Sequence, residues 1–320
     1  MTSKHYILLI NAVALYFVSS ILPLRADDDY SREVLRYPYN LQTMTVIGLP
    51  SPVTIQEKDT LLDVARRHDL SYYNELELLY PHMDEWIPPR GAVVILPTVW
   101  VLPVTRNEQL VINLPEQRLY YFIKVNSTVQ TYPIGIGDEG WETPVGTFKI
   151  FEKRPNPTWY IPASLQEKYG MKTMPPGPDN PMGEFVMKFS AGAYGIHGTN
   201  VPWGVGGLVS HGCIRLYPED IRTLYPQVKI GTKLEIIYEP IKFGQRDGYI
   251  YMEAHPDIYR RIPDYFNFAM EKLRQYPYAD RVDLKRFQLA IFLKNGLVTD
   301  ITRLPLSDTF DRILITRMLQ

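Results

Sequence analysis

The sequence predicts a mainly β central domain, preceded by a small βααβ unit and followed by an α+β extension. Three observations predict it. From Pro103 onward, β-branched and aromatic residues run in short stretches broken by Pro-Glu-Gln and Asn-Ser turns, the pattern of a meander. Upstream, Thr60 stands three residues before Asp63, a spacing that lets the two side chains cap the start of a helix. Downstream, Asp247-Gly248 marks a hairpin turn between two β-rich segments, and helical patterns follow it.

Taken in order, the chain opens with Lys4 and His5 ahead of an apolar stretch from Tyr6 to Leu24, interrupted by Asn11 and Ser19-Ser20 and ended by Pro23. That is short and broken for a membrane span and fits an export signal over 1–26, cleaved after Ala26 and followed by Asp27-Asp28-Asp29. A retained N-terminal anchor is the alternative. Beyond this segment no run of ~18 apolar residues occurs, so the remainder is expected to be soluble. Residues 27–44 read as a polar linker.

The unit at 45–101 begins with a strand at Val53-Thr54-Ile55. A helix starts at Thr60, with Leu61, Leu62, Ala65 and Leu70 on its apolar side, and a second is expected over Tyr72–Leu79, stopped by Pro81. Ala92–Pro97 closes it as a strand. The central domain covers 103–239, with strands at Gln109–Leu114, Arg118–Val125 and Thr128–Ile134, then near Phe185–Phe189, Gly195–His197 and Lys233–Tyr238. A Pro-rich excursion from Pro155 to Pro181 is long for a connection in a compact domain and reads as a lid or binding loop. The extension at 240–320 carries the hairpin Ile241–Phe243 and Tyr249–Met252, then helices at Pro263–Arg274 and Arg281–Leu293.

The 320 residues suffice for two or three domains, and 45% hydrophobic with 22% charged residues is an ordinary globular composition. A formal net charge of −1 and the lack of a Lys/Arg run exclude nucleic acid as an electrostatic partner. The 23 tyrosines suit glycan or peptide binding as well as half-buried strand positions.

The chemistry concentrates at Ser210-His211-Gly212-Cys213-Ile214-Arg215-Leu216, which holds the only cysteine of the chain. Thiolate is the nucleophilic form of cysteine, and a histidine or clustered backbone N–H groups favour it. A second stretch, Ile196-His197-Gly198-Thr199, belongs to the same site, because Gly204, Gly206 and Gly207 between them let the chain fold back tightly. Three readings stand side by side. Cys213 is a small buried hydrophobe with satisfied histidines around it; His197, His211 and Cys213 hold a metal; or a histidine base activates Cys213, with Gly212 letting backbone N–H groups face an oxyanion.

The stretch from His197-Gly198-Thr199 through Ser210-His211-Gly212-Cys213-Ile214-Arg215-Leu216 resembles the signature of the L,D-transpeptidases, with their YkuD-type catalytic domain. Thr143–Phe148 and Asn156–Tyr160 are similar to recurring segments of the Gram-negative, ErfK/YbiS-like branch. Asp59–Arg67, with Asn74 and Val94–Pro97, is similar to a LysM peptidoglycan-binding module, although a structural spacer would also fit. The resemblance implies a β-sandwich catalytic domain, periplasmic location, and a Cys213 thioester formed on a peptidoglycan stem peptide with loss of D-alanine. It makes His197 the base, oriented by the Gly198 carbonyl, and gives the backbone N–H groups of His211, Gly212 and Cys213 to the oxyanion. Arg215 would hold a substrate carboxylate, while Ser210, Tyr194 and Trp203 would line the site and Trp159 would cover the acyl chain. The acceptor would be a second stem, giving a 3→3 cross-link, the terminal lysine of an outer-membrane lipoprotein, or water, giving L,D-carboxypeptidase trimming. Carbapenems would acylate Cys213, and no metal or organic cofactor would be required. A wall-binding scaffold without activity is the competing class.

Overall fold

The structure, a computed structural model, describes residues 34–105, 109–189 and 194–303. The export signal expected at 1–26, the start of the linker and the end of the extension lie outside those residues. Among the described residues no helix is long and apolar enough to cross a membrane.

At the centre lies a six-stranded sheet ordered Tyr37–Pro38, Thr128–Pro133, Arg118–Ile123, Leu110–Asn113, Lys233–Ile237, Gly146–Lys149. The Leu110–Asn113 and Lys233–Ile237 strands run parallel and the other neighbours antiparallel. Strand side chains alternate between faces, and here both faces are covered. Leu110, Ile112, Leu119, Tyr132 and Ile134 point into one core. Val111, Tyr120, Phe122 and Val129 point into another. The first core is completed by a four-stranded sheet, Glu152–Pro155, Phe185–Lys188, Gly195–His197 and Ile214–Arg215, and by the helix Pro218–Gln227. That helix was not expected. Its signal was present: Pro218 at the first helical positions, then Glu219 and Asp220 in the first turn.

The second core joins the central sheet to the N-terminal unit. Ile55, Leu61, Val64, Ala65, Leu70 and Leu76 pack directly on the sheet's outer face, so the unit shares its interior with the domain that follows. Its strands Ser51–Thr54 and Val93–Leu96 pair antiparallel, as do Val46–Gly48 and Val99–Val101. The helix Leu61–Arg67 starts at a reciprocal cap: Asp63 N–H donates to Thr60 Oγ1 at 3.0 Å and Thr60 N–H to Asp63 Oδ2 at 3.4 Å. The second helix differs from the continuous one expected, being a wide π turn over Tyr72–Leu76 and a short α segment Glu77–Leu79. The wide turn keeps Tyr72 and Leu76 buried while Glu75 reaches Arg118 at 2.5 Å.

The extension forms a hairpin, Ile241–Arg246 with Tyr249–Ala254, bordered by Thr299–Asp300. Asp247 and Gly248 both have positive φ, 53° and 82°, the backbone that a tight two-residue hairpin turn requires. Its helices begin a few residues later than the pattern suggests, at Tyr265 and Leu284, because Asp264 and Asp283 accept from the first free N–H groups. Lys242 carries the extension into the centre of the molecule. Its ammonium donates to Glu116 at 2.8 Å and Glu253 at 2.6 Å, both almost fully buried, and to the Val101 carbonyl at 2.5 Å.

Candidate active site

Two neighbouring strands build the site. Gly195–His197 and Ile214–Arg215 run parallel, with Ile196 beside Ile214 and His197 beside Arg215. Continuing that register by one residue sets Cys213 beside Gly195. Side chains in register share a face, so His197, Arg215 and Cys213 project to the same side, while Ile196 and Ile214 enter the core. The thiol and the imidazole are therefore diagonal neighbours, about 7–8 Å apart by strand geometry. Gly195 has no side chain to separate them, and its backbone hydrogen-bonds the sulfur.

The imidazole is fixed. Nδ1 lies 2.6 Å from the Gly198 carbonyl, which can only accept, so Nδ1 carries the proton and Nε2 is left as a lone pair. The ring is 3% exposed. Burial, then the Arg215 charge beside it, lower its pKa to about 4, and the Gly198 bond opposes them weakly. Cys213 is half-buried. Enough protein surrounds its sulfur that desolvation raises its pKa, against the smaller pull of the Gly195 bond and Arg215. Both shifts favour a neutral imidazole and a protonated thiol as the resting pair.

The turn bearing the thiol is built from its own polar groups. Ser210 Oγ donates to the Cys213 carbonyl at 2.6 Å and accepts from the Gly212 N–H at 3.1 Å. Ser210 therefore braces the turn, and the Gly212 N–H is taken up by its hydroxyl. Gly212 adopts φ 95°, and a Cβ there would lie 2.4 Å from the Tyr194 ring, so glycine is required by both conformation and space. His211, half-buried, tilts against Trp141 with ring centroids 4.5 Å apart. Trp141 was not singled out from the sequence, where an isolated exposed tryptophan carries no spacing signal.

Arg215 is partly buried, and its Nε has no hydrogen-bond partner among the described residues. Desolvation lowers its pKa, while Cys213 and Tyr169 act in the other direction. Tyr169 ends the helix Ala163–Tyr169 of the Pro-rich excursion, and its ring meets Trp159 edge to face at 5.0 Å. The excursion is thus an ordered subdomain of a helix and the strand pair Trp159–Tyr160 with Thr173–Met174. Its base is tied by Asn180, 1% exposed, which donates to the carbonyls of Pro157 at 2.9 Å and Pro175 at 3.0 Å. Trp203 is 60% exposed and lines a cleft of about 200 Å³ with Leu62, Arg66, Trp86 and Tyr217, where the N-terminal unit meets the central domain.

The ligand atoms of His197, His211 and Cys213 do not converge as a metal would need. Among the described residues the cluster that does is Glu116, Glu253 and His255, within 4.8 Å of one another. There the Lys242 ammonium already bridges both carboxylates.

The profile of the YkuD L,D-transpeptidase catalytic domain matches residues 107–236, the stretch that contains this site. The chain is 33% identical to the probable L,D-transpeptidase ErfK/SrfK of Salmonella typhimurium, over 84% of this chain and 91% of that protein. It is 38% identical to the probable L,D-transpeptidase YbiS of Escherichia coli K12, over 68% of this chain and 74% of the relative. For YcfS of the same organism the figures are 34%, 75% and 79%. A solved catalytic domain of an Enterococcus faecium L,D-transpeptidase is 20% identical and covers 42% of this chain and 100% of its own, with a TM-score of 0.34. On the strength of the three sequence relatives, the chain belongs to the L,D-transpeptidase family, in its Gram-negative branch.

Proposed function

We propose that this transpeptidase works through a thioester at Cys213 on peptidoglycan stem peptides. The observation that carries the reading is the parallel register that puts Cys213, His197 and Arg215 on one face. As Sγ attacks the carbonyl of the diaminopimelate residue, Nε2 of His197 takes the thiol proton. The oxyanion is assigned to the backbone N–H groups of His211 and Cys213. When the tetrahedral intermediate collapses, the imidazolium returns its proton to the departing amine of D-alanine. The acceptor amine then attacks the thioester, gives its proton to His197, and releases the thiol.

The neutral resting pair suits this sequence. An imidazole held unprotonated by burial and by Arg215 is ready to accept a proton, and the thiol has one to give. Arg215, with a buried Nε lacking a partner among the described residues, is the group for a substrate carboxylate. Tyr194 forms one wall beside Gly212. The 155–181 lid excludes water and so favours an amine acceptor over hydrolysis.

The 45–101 unit is read as a LysM-like module that holds the glycan strand. Trp86 and Trp203, each 60% exposed on the shared cleft, give flat apolar faces suited to pyranose rings. The location proposed is the periplasm. The test is incubation of the protein with purified muropeptides and a lysine-terminated acceptor peptide, and resolution of the products by mass. Release of D-alanine together with a dimer of one stem joined to another gives the 3→3 cross-link. A product carrying a lysine-terminated peptide gives lipoprotein attachment, and tripeptide alone gives trimming. Absence of all three overturns the reading.

A further inference from the structure

The C-terminal extension and the thiol turn are joined by a short hydrogen-bonded path. Tyr259, 9% exposed, lies between the central domain and the helix Tyr265–Gln275 and belongs to the central domain's core cluster. Its hydroxyl donates to the Gly137 carbonyl at 2.5 Å, and the Thr143 backbone also hydrogen-bonds its oxygen. The Gly137 N–H donates to Thr143 Oγ1 at 3.0 Å. Thr143 Oγ1 donates in turn to the Gly212 carbonyl at 3.1 Å. Thr143 is fully buried.

Gly137 is packed so closely that a Cβ there would fall 2.9 Å from Gly212 Cα, 2.7 Å from Thr143 N and 2.2 Å from the Trp141 carbonyl. Nothing bulkier than glycine could transmit the contact. The Ile136–Gly137 strand also pairs with Leu208–Ser210, and Asp138 N–H donates to the Ser210 carbonyl at 2.9 Å, while Gly135 N–H donates to the Arg215 carbonyl at 2.9 Å, so the same segment holds both ends of the turn.

The Tyr259 end is itself held in place. Asp257 accepts from the N–H groups of Arg261 at 3.0 Å and Ile262 at 2.6 Å, and from the Tyr238 hydroxyl. Tyr238 stacks on Tyr259 at 6.0 Å and accepts from its N–H at 3.0 Å.

Resting on the assignment of Cys213 as nucleophile, we propose that Thr143 and Tyr259 are positioning residues for the reaction. They fix the left-handed Gly212 peptide and thereby aim the sulfur and the neighbouring backbone N–H groups. The Gly212 carbonyl is the group they hold. Its peptide plane is shared with the Cys213 N–H, so a rotation that releases the carbonyl also turns a proposed oxyanion donor. This gives the extension a part in the chemistry that its sequence does not advertise.

The test compares two reactions of the same sulfur in the full chain: acylation by imipenem, which needs an aimed sulfur and a stabilised oxyanion, and alkylation by iodoacetamide, which needs neither. Thr143→Val removes the hydroxyl with little change in volume and is expected to slow acylation at least about 10-fold while alkylation stays within about two-fold. Thr143→Ser restores the acylation rate. Tyr259→Phe, which keeps the ring and loses the hydroxyl's bonds to Gly137 and Thr143, slows acylation about 5-fold. The inference is overturned if Tyr259→Phe and Thr143→Val both acylate at the parent rate, or if both reactions slow together and serine does not rescue. Should Thr143→Val fail to fold, Tyr259→Phe decides alone by the same criterion. Cys213→Ala serves as the separate control: an imipenem adduct persisting there refutes the nucleophile assignment, not the positioning.

Discussion

Two histidines of this chain are almost equally buried, His197 at 3% and His255 at 4% exposure, and they are built for different ends. His197 has a carbonyl on Nδ1, a guanidinium beside it, and a lone pair on the face of the thiol. His255 has its Nε2 3.1 Å from the Glu253 carboxylate, which Lys242 also holds, in a junction of the N-terminal unit, the central sheet and the extension. Burial alone therefore does not make an imidazole a base. The sign of the adjacent charge and the direction of the unprotonated nitrogen do. A cation nearby keeps His197 neutral and ready to accept, whereas His255 is hydrogen-bonded to a carboxylate that Lys242 already holds.

The largest expected effect is Cys213→Ala, which removes the nucleophile. Turnover and imipenem adduct fall to background while the thermal midpoint stays close to the parent, measured by intact mass and by circular dichroism. His197→Gln comes next, slowing acylation about 100- to 10,000-fold with the fold retained. An equal loss from His255→Gln would erase the distinction drawn between the two imidazoles. At that junction, Lys242→Met strands two buried carboxylates and costs about 3–5 kcal/mol of stability in urea titrations, with acylation by the folded fraction unchanged.

His197 also sets a pH dependence of stability. Its folded pKa of about 4 lies below the ordinary histidine value, so the unfolded chain takes up a proton first as the pH falls. Its share of stability is present above about pH 6.5 and is lost progressively down to about pH 4, about 3 kcal/mol over the whole window. In His197→Gln that part of the acid sensitivity is expected to disappear. The smallest effect is His255→Gln, expected to lower stability by about 1–2 kcal/mol with acylation within about two-fold of the parent.

Much of this was legible beforehand, for local reasons. The Thr60–Asp63 cap, the Asp247-Gly248 turn and the alternating strands around Arg118–Ile123 depend on residues near one another in the chain. So did the heptapeptide around Cys213, whose glycine could only mean a backbone with positive φ or a close approach, and means both. What escaped depends on distant pairs. Nothing near Lys242 announces Glu116, and nothing near Asn180 announces the Pro157 carbonyl it closes the lid upon. His197 stands out in the sequence as the base, but its neutrality does not, because that depends on an arginine which only the strand register brings alongside. The helix Pro218–Gln227 was missed although its proline and acidic first turn were in plain view.

The interior shared by the N-terminal unit and the central sheet has a mechanical consequence. The unit cannot swing on a tether, since parting it from the sheet would wet Leu61, Val64, Leu76, Tyr120 and Phe122 together. The span from the tryptophan cleft to the sulfur is consequently a constant of the molecule, like the throat of a caliper. Reaching a new point on the wall means moving the whole body, not paying out slack.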